Sequence, residues 1–455
     1  MPATSPFAIP NIRLFIAFRI LFNCRFYYPI FTILFLDYGL TIEQFALLNT
    51  VWAITIFCAE VPSGALADVL GRKQLLVATA LLMVVEMGII AFVPVVNITL
   101  VFWAFLINRV MSGLAEAMAS GADEAIAFDS LSEEGLACCW PKVLSLQMRL
   151  KSIGSIITGI LGALIYDPNM MNRLLNLIGS GITVNQQQTM RYPVYLTLIL
   201  ALLATFTAFL FQESDDQQQQ RIKGQGFIRN MKAAMAVTLQ AGNWIMQTPF
   251  ALAVILFGMF YDHILRMLIT LTSQYYRLIE LPEASFGVLG AAMSLFGLYI
   301  PKLCEQMVDR YSPRQNMFLL LAITLAAIFI MRGFYPYIGL VAIAFVYVGL
   351  TMVSFFTSHY LNQITTSSQR ATVLSFKGMA FNLGYGLIGI LFALLMQQMR
   401  GVTAGAHPNW SSSIIEEQSF MLSIGWFPWY TLLLFVGMLL LNHQRLQGKP
   451  VSAKE

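Results

Sequence analysis

The chain has 455 residues, of which 58% are apolar and 11% charged, against roughly 45–50% and 25% in soluble domains. A water-facing surface for this much protein needs more charge, so soluble enzymes, nucleic-acid readers and disordered scaffolds are excluded, and a mean hydropathy of +0.69 places most of the chain in lipid. The net charge of +4 matters less than where the Lys and Arg fall, because orientation in a membrane follows their placement.

Stretches long enough to cross a ~30 Å hydrocarbon core are predicted over 12–37, 43–67, 74–96, 99–122, 142–166, 191–211, 249–276, 285–308, 316–334, 337–361, 370–398 and 422–441. Only helices and closed barrels satisfy backbone groups in lipid, and segments of this length are helices. The first carries Arg19 and Arg25 and has no basic leader before it, which predicts a retained helix. Arg19, Asn23 and Tyr27 fall on one side of that helix, with Arg25 about 120° away. An ionised side chain at mid-bilayer costs ~2.5–3.5 kcal/mol on insertion scales and faces the bundle interior or water, so each deep charge is a functional candidate.

In the fourth span Arg109 lies about 15 Å from the predicted start at ~1.5 Å per residue. Arg109, Gly113, Glu116 and Ser120 share a face, which reads either as a cavity wall or as a structural Arg109–Glu116 ion pair. Arg149, Lys151 and Lys377 lie near enough to the boundary to snorkel. In the seventh span Asp262 and Arg266 stand one turn apart, either a transport site or a mutually satisfied pair; His263 reads as a packed core histidine. Asn382 and Tyr385 share a face of the eleventh and offer neutral hydrogen bonds to a ligand. Cations outnumber acids in this deep set, which suits an anionic or zwitterionic solute, and Glu116 and Asp262 are the candidate proton carriers.

The longest polar break, 212–248, opens with Glu213, Asp215, Asp216 and a glutamine run, then turns basic. It is expected to be a cytoplasmic linker between an N-terminal six-helix bundle, 1–211, and a C-terminal one with a short tail, 249–455. With the N-terminus in the cytoplasm, Arg72, Lys73, Lys142, Arg310, Arg314 and the linker and tail cations share one side, while Arg173, Arg191, Arg277 and Arg400 take the other. Both termini are therefore expected inside. The halves also repeat. Val143–Leu164 set against Val373–Leu394 gives nine identities in twenty-two positions, including Ser145/Ser375, Gly154/Gly384 and Gly159/Gly389. A parallel repeat of six-helix bundles is a transporter layout.

The loop after the second span reads Gly64-Ala65-Leu66-Ala67-Asp68-Val69-Leu70-Gly71-Arg72-Lys73, and Arg109-x-x-x-Gly113-x-x-x-Ala117 follows in the fourth. These resemble the G-x-L-a-D-r-x-G-r-k and R-x-x-x-G-x-x-x-A motifs of the major facilitator superfamily. Glu60-Val61-Pro62-Ser63 and Ser120 to Leu131 resemble one of its bacterial subgroups, and Asp309 to Arg314 looks like a degraded second copy of the loop. The resemblance implies an all-α membrane protein whose twelve transmembrane helices form two six-helix bundles related by a pseudo-twofold, working by alternating access. It also implies a latch at Gly64, Asp68, Gly71, Arg72 and Lys73, with Asp68 in a charge network through Arg72 and Asp123. Proton-coupled exporters of the family carry G-x-x-x-G-P-x-x-G-G in the fifth helix, whereas this chain reads Gly154 to Ala163 with no proline.

The expectation is a multi-pass transporter of the inner (plasma) membrane that moves a small organic solute by alternating access with protons. Its pathway would run past Arg19, Asn23, Arg25, Arg109, Glu116, Asp262, Arg266, Asn382 and Tyr385. Uptake of an anionic or zwitterionic solute is favoured, with proton-driven drug or metabolite efflux as the alternative. Lipid, solute and protons are its expected partners, without nucleic acid, cofactor or metal. The histidines His263, His359, His407 and His443 are scattered, which argues against an enzyme, and Cys24, Cys58, Cys138, Cys139 and Cys304 are expected to be free thiols.

Overall fold

Proline, glycine and caps decide where each apolar run starts and stops. In the computed structural model, which describes residues 5–120, 122–212, 227–365 and 367–442, every regular element among those residues is helical. Twelve spans there are long and apolar enough to cross a membrane. Contacts group the helices into two units, one of residues 1–40, 54–236 and 283–291, the other of 41–53, 237–282 and 292–455.

The first unit contains α1 (Pro10–Asn23), α2 (Phe31–Asp37), most of α3 (Ile42–Leu70), α4 (Arg72–Phe92), α5 (Ile98–Ala119), α6 (Ala122–Glu133), α7 (Trp140–Tyr166), α8 (Pro168–Leu177), α9 (Gln186–Thr189) and α10 (Tyr192–Leu210). Here α4 packs between α5 and α10, and α1 lies against α7 and α10. The described part of the expected linker is itself helical, α11 (Phe227–Gln247). The second unit contains α12 (Pro249–Thr270), α13 (Thr272–Leu278), most of the stretch from α14 (Phe286–Ser294) to α15 (Phe296–Arg310), then α16 (Pro313–Met331), α17 (Ile338–Ile364), α18 (Ser367–Ala406), α19 (Ser412–Ile424) and α20 (Phe427–Asn442). There α12 packs on α17 and α18.

The first span departs from expectation. It is not one helix but α1 and α2 joined by a break at residues 24–30. Pro29 lacks the amide hydrogen that would bond the Arg25 carbonyl. The amides freed there find other partners: Phe26 N–H donates to Thr197 Oγ1 of α10 at 3.1 Å. The Phe26 carbonyl rests on Gly162 of α7, where a Cβ would collide with it.

The repeat read from the sequence acts in packing. A Cβ on Gly154 would stand 2.8 Å from Cys24 Sγ and 3.3 Å from Ile20 of α1; one on Gly384 would stand 2.7 Å from Met259 Cγ and 3.6 Å from His263 of α12. The fifth and eleventh spans thus meet the first and seventh spans of their own units across a glycine, each time against an i, i+4 pair. Of the next repeated pair, Gly389 does the same, with a Cβ colliding with Thr50 Oγ1 and standing 3.2 Å from the Ala46 carbonyl, while at Gly159 the tight contact is made by Gly287, whose Cβ would collide with the Gly159 carbonyl. Glycine is required because only backbone without a Cβ allows helices this close.

Gly162→Ala pushes a methyl into immovable backbone, so it should lower the unfolding free energy by ~1–3 kcal/mol. Gly88→Ala, with nothing within 4 Å of the added carbon, should be neutral or stabilising by ~0.5–1 kcal/mol. Fluorescence thermal melts in detergent check the pair; equal midpoints for both variants would contradict the close-approach reading.

Candidate functional site

Each unit carries its own set of charges within the spans. In the first, the break in the opening span turns Arg25 inward. Arg25 Nη1 donates to Glu86 Oε1 of α4 at 2.8 Å and to the Tyr27 hydroxyl at 2.9 Å, and the two charged side chains are 3% and 0% exposed. Glu86 thus neutralises an ion that lipid could not.

Arg109 was expected on an open polar stripe or paired with Glu116. It does neither. Its Nε and Nη2 donate to Asn108 Oδ1 at 2.9 and 2.8 Å, and the Phe31 and Phe35 rings face its guanidinium at 5.4 and 5.5 Å. Asn108 in turn donates to the Glu86 carbonyl at 3.0 Å. The shared face of α5 is buried at Arg109, Ser112 and Gly113 but exposed at Glu116 and Ser120, so the stripe leaves the packed part of the unit between those levels.

Arg19 reaches α6, with Nε 2.5 Å from Asp123 Oδ2 and Nη2 2.5 Å from Glu124 Oε1. Asn23 is spent locally, donating to the Arg19 carbonyl at 2.8 Å. Glu60 accepts from Ser120 Oγ at 3.4 Å.

The loop motif is built as its glycines require. Gly71 adopts φ 96°, a left-handed turn that ends α3 and starts α4, and Gly64 is exposed. Arg72 pairs with Asp129, while Asp123 pairs with Arg19. Three helical turns separate Asp123 from the end of α6, and Asp129 is the acid within reach of the loop. The Asp68 side chain lies outside the described residues.

In the second unit, Asp262 stands 13 residues beyond the start of α12, about 20 Å along at ~1.5 Å per residue and so near the middle of a span. Arg266 Nη2 lies 2.7 Å from Asp262 Oδ2, with the two side chains 27% and 8% exposed. Arg266 Nη1 also donates to Asn382 Oδ1 at 2.9 Å, its guanidinium sits 5.2 Å from the Tyr385 ring centre, and the Tyr385 hydroxyl shares a 2.9 Å hydrogen bond with Thr270. Four of the residues singled out in the sequence therefore form one cluster. Asn382 engages Arg266 through its Oδ1. Lys377 stands beside it, Nζ 5.7 Å from the Phe381 ring centre, with Asp262 as the charge it feels. His263 is a packed histidine, held by the Met259 carbonyl at 2.7 Å and the Tyr430 hydroxyl at 3.0 Å.

The excess of deep cations largely cancels: Arg19, Arg25 and Arg266 have carboxylate partners. Sequence reasoning left Glu86 unplaced and missed a further triad in the second unit, where Arg400 Nη2 meets Glu43 Oε2 at 2.5 Å and Glu416 Oε2 at 2.6 Å. Glu43 sits in the opening turn of α3, where a carboxylate complements the helix dipole. All five cysteines are free.

Arg25→Gln should cost ~3–5 kcal/mol by stranding the Glu86 charge, and the double variant Arg25→Met/Glu86→Met, which removes both charges, should restore most of that. Thermal unfolding of the single and double variants reads this out. A single variant as stable as wild type would show that the pair carries no such constraint.

The family model described as Major Facilitator Superfamily matches residues 14–389. No curated protein matches by sequence. Solved structures do match in fold. A bacterial homologue of the human lysosomal transporter Spinster aligns with TM-score 0.69 at 12% identity, covering 97% of each chain. The nucleoside transporter NupG aligns with TM-score 0.67 at 12% identity over 97% of this chain and 99% of that one, and the xylose transporter XylE from E. coli with TM-score 0.60 at 13% identity over 96% and 99%.

Proposed function

The chain belongs to the major facilitator superfamily, and from that membership we propose that it is a secondary transporter moving a small organic solute by alternating access, coupled to protons. The Asp262–Arg266–Asn382–Tyr385 cluster carries the reading. It is an ion pair near mid-span whose acid is buried and whose base stays partly open. While Asp262 is ionised it holds Arg266. A proton on Asp262 removes that hold and leaves a guanidinium, backed by Asn382 and Tyr385, free to bind an anionic group. Proton and solute anion would then load together, which is symport.

Asp262, Arg266 and Lys377 sum to one excess positive charge, which supports an anionic or zwitterionic solute. Arg19, Asn23, Arg25, Arg109 and Glu116 are proposed to line or brace the pathway in the first unit. Gly64, Asp68, Gly71, Arg72 and Lys73, with Asp123, are proposed as the conformational latch. A structure of similar fold is described as a D-xylose–proton symporter, and proton coupling is carried over from it as part of the proposal. The absent proline motif in residues 154–163 weighs against proton-driven efflux. The inner membrane, with both termini cytoplasmic, is the proposed location.

Reconstituted into liposomes and screened against a panel of radiolabelled organic acids and amino acids, the protein should accumulate its solute under an imposed pH gradient and stop when a protonophore collapses it. Asp68→Asn should slow that flux by roughly tenfold or more at unchanged yield. Flux indifferent to the gradient would remove proton coupling, and binding or turnover without flux would remove transport.

A further inference from the structure

The segment between the fifth and sixth spans is too apolar for a loop in water. From Pro168 to Met190 it has one charged residue, Arg173, yet Leu174, Leu177, Ile178 and Ile182 are 45%, 81%, 78% and 64% exposed. These residues are not scattered. At ~100° per residue, Asn169, Asn172, Arg173 and Asn176 of α8 fall within an arc of roughly 100°, and Met170, Met171, Leu174, Leu175 and Leu177 fill the opposite side. Gly179, at φ 73°, ends the helix with Ser180 N–H bonded to the Leu175 carbonyl at 2.9 Å, a Schellman-type stop.

The segment is also tied down. Asp167, the residue that follows the fifth span, caps α8 by accepting from Asn169 N–H at 2.8 Å and Met170 N–H at 3.3 Å. Asn172 exchanges two hydrogen bonds with the Val184 backbone, at 2.9 and 2.8 Å, folding the segment back on itself. Gln186 Nε2 then donates to Asp37 at 2.9 Å, and Asp37 also accepts from the Tyr166 hydroxyl. Asp37 and Tyr166 are the last residues of the first and fifth spans, so the whole segment is pinned at the level where two membrane helices end.

We propose that α8 is an interfacial helix whose exposed Leu174, Leu177, Ile178 and Ile182 enter the acyl boundary of the leaflet at which α7 ends. The occupant of this face is a phospholipid surface. The face stands at the level where the first and fifth spans end, and one cation with no acid between 168 and 190 asks for apolar insertion rather than an anionic headgroup. The polar arc, already bonded through Asn172, faces away from the hydrocarbon.

The test needs no variant. Wild-type protein in phosphatidylcholine vesicles carrying a diazirine on the upper acyl chain is irradiated, and adducts are mapped by peptide mass spectrometry. Positions 174, 177, 178 and 182 should be labelled on the order of tenfold above Asn169, Asn172, Arg173 and Asn176. A water-soluble carbene reagent should give the reverse pattern. The proposal is overturned if residues 168–182 take no lipid label while the spans do, or if both faces label alike. Shielding of the apolar face from both reagents, as a second copy of the chain covering it would produce, overturns it too.

Discussion

Hydrocarbon offers a charge no partner, and the fold follows from that constraint. Each deep arginine with a carboxylate finds it within its own unit: Arg25 with Glu86, Arg19 with Asp123 and Glu124, Arg266 with Asp262. Arg109 is satisfied differently, by a neutral amide and two ring faces. The same constraint governs backbone groups. Pro29 interrupts the first span, and the structure tolerates the break because Thr197 accepts a freed amide and Gly162 leaves room for a freed carbonyl.

Close helix approach is the second requirement, and the duplicated glycines meet it twice. Gly154 and Gly384 bring α7 and α18 onto α1 and α12. This places Cys24 beside the Arg25 break in one unit and His263 beside the Asp262–Arg266 pair in the other. Packing thus sets where the charges stand, and in the second unit it leaves a buried acid holding a partly open arginine.

How much of this could be read beforehand follows from the range of each signal. The spans, the repeated glycines and the Gly71 turn are local or periodic features, and the i, i+4 spacing of Asp262 and Arg266 places both partners on one helix face. Glu86 lies 61 positions from Arg25 and Glu43 lies 357 from Arg400. Helical periodicity tells which face a residue occupies but not which helix lies opposite, so those pairings were hidden. The same holds for the loop, since Asp123 and Asp129 are both acids on α6 and only packing decides that Arg72 meets the second. The break at Pro29 had a visible cause, a proline inside an apolar run, which the hydropathy of that run obscured.

Coupling through the Asp262–Arg266 pair is tested most directly by separating exchange from accumulation. In liposomes, Asp262→Asn should still equilibrate labelled solute against unlabelled solute across the membrane, because that exchange needs no net proton movement, while accumulation driven by a pH gradient is lost. A variant that accumulates solute under the gradient at the wild-type level would contradict the account.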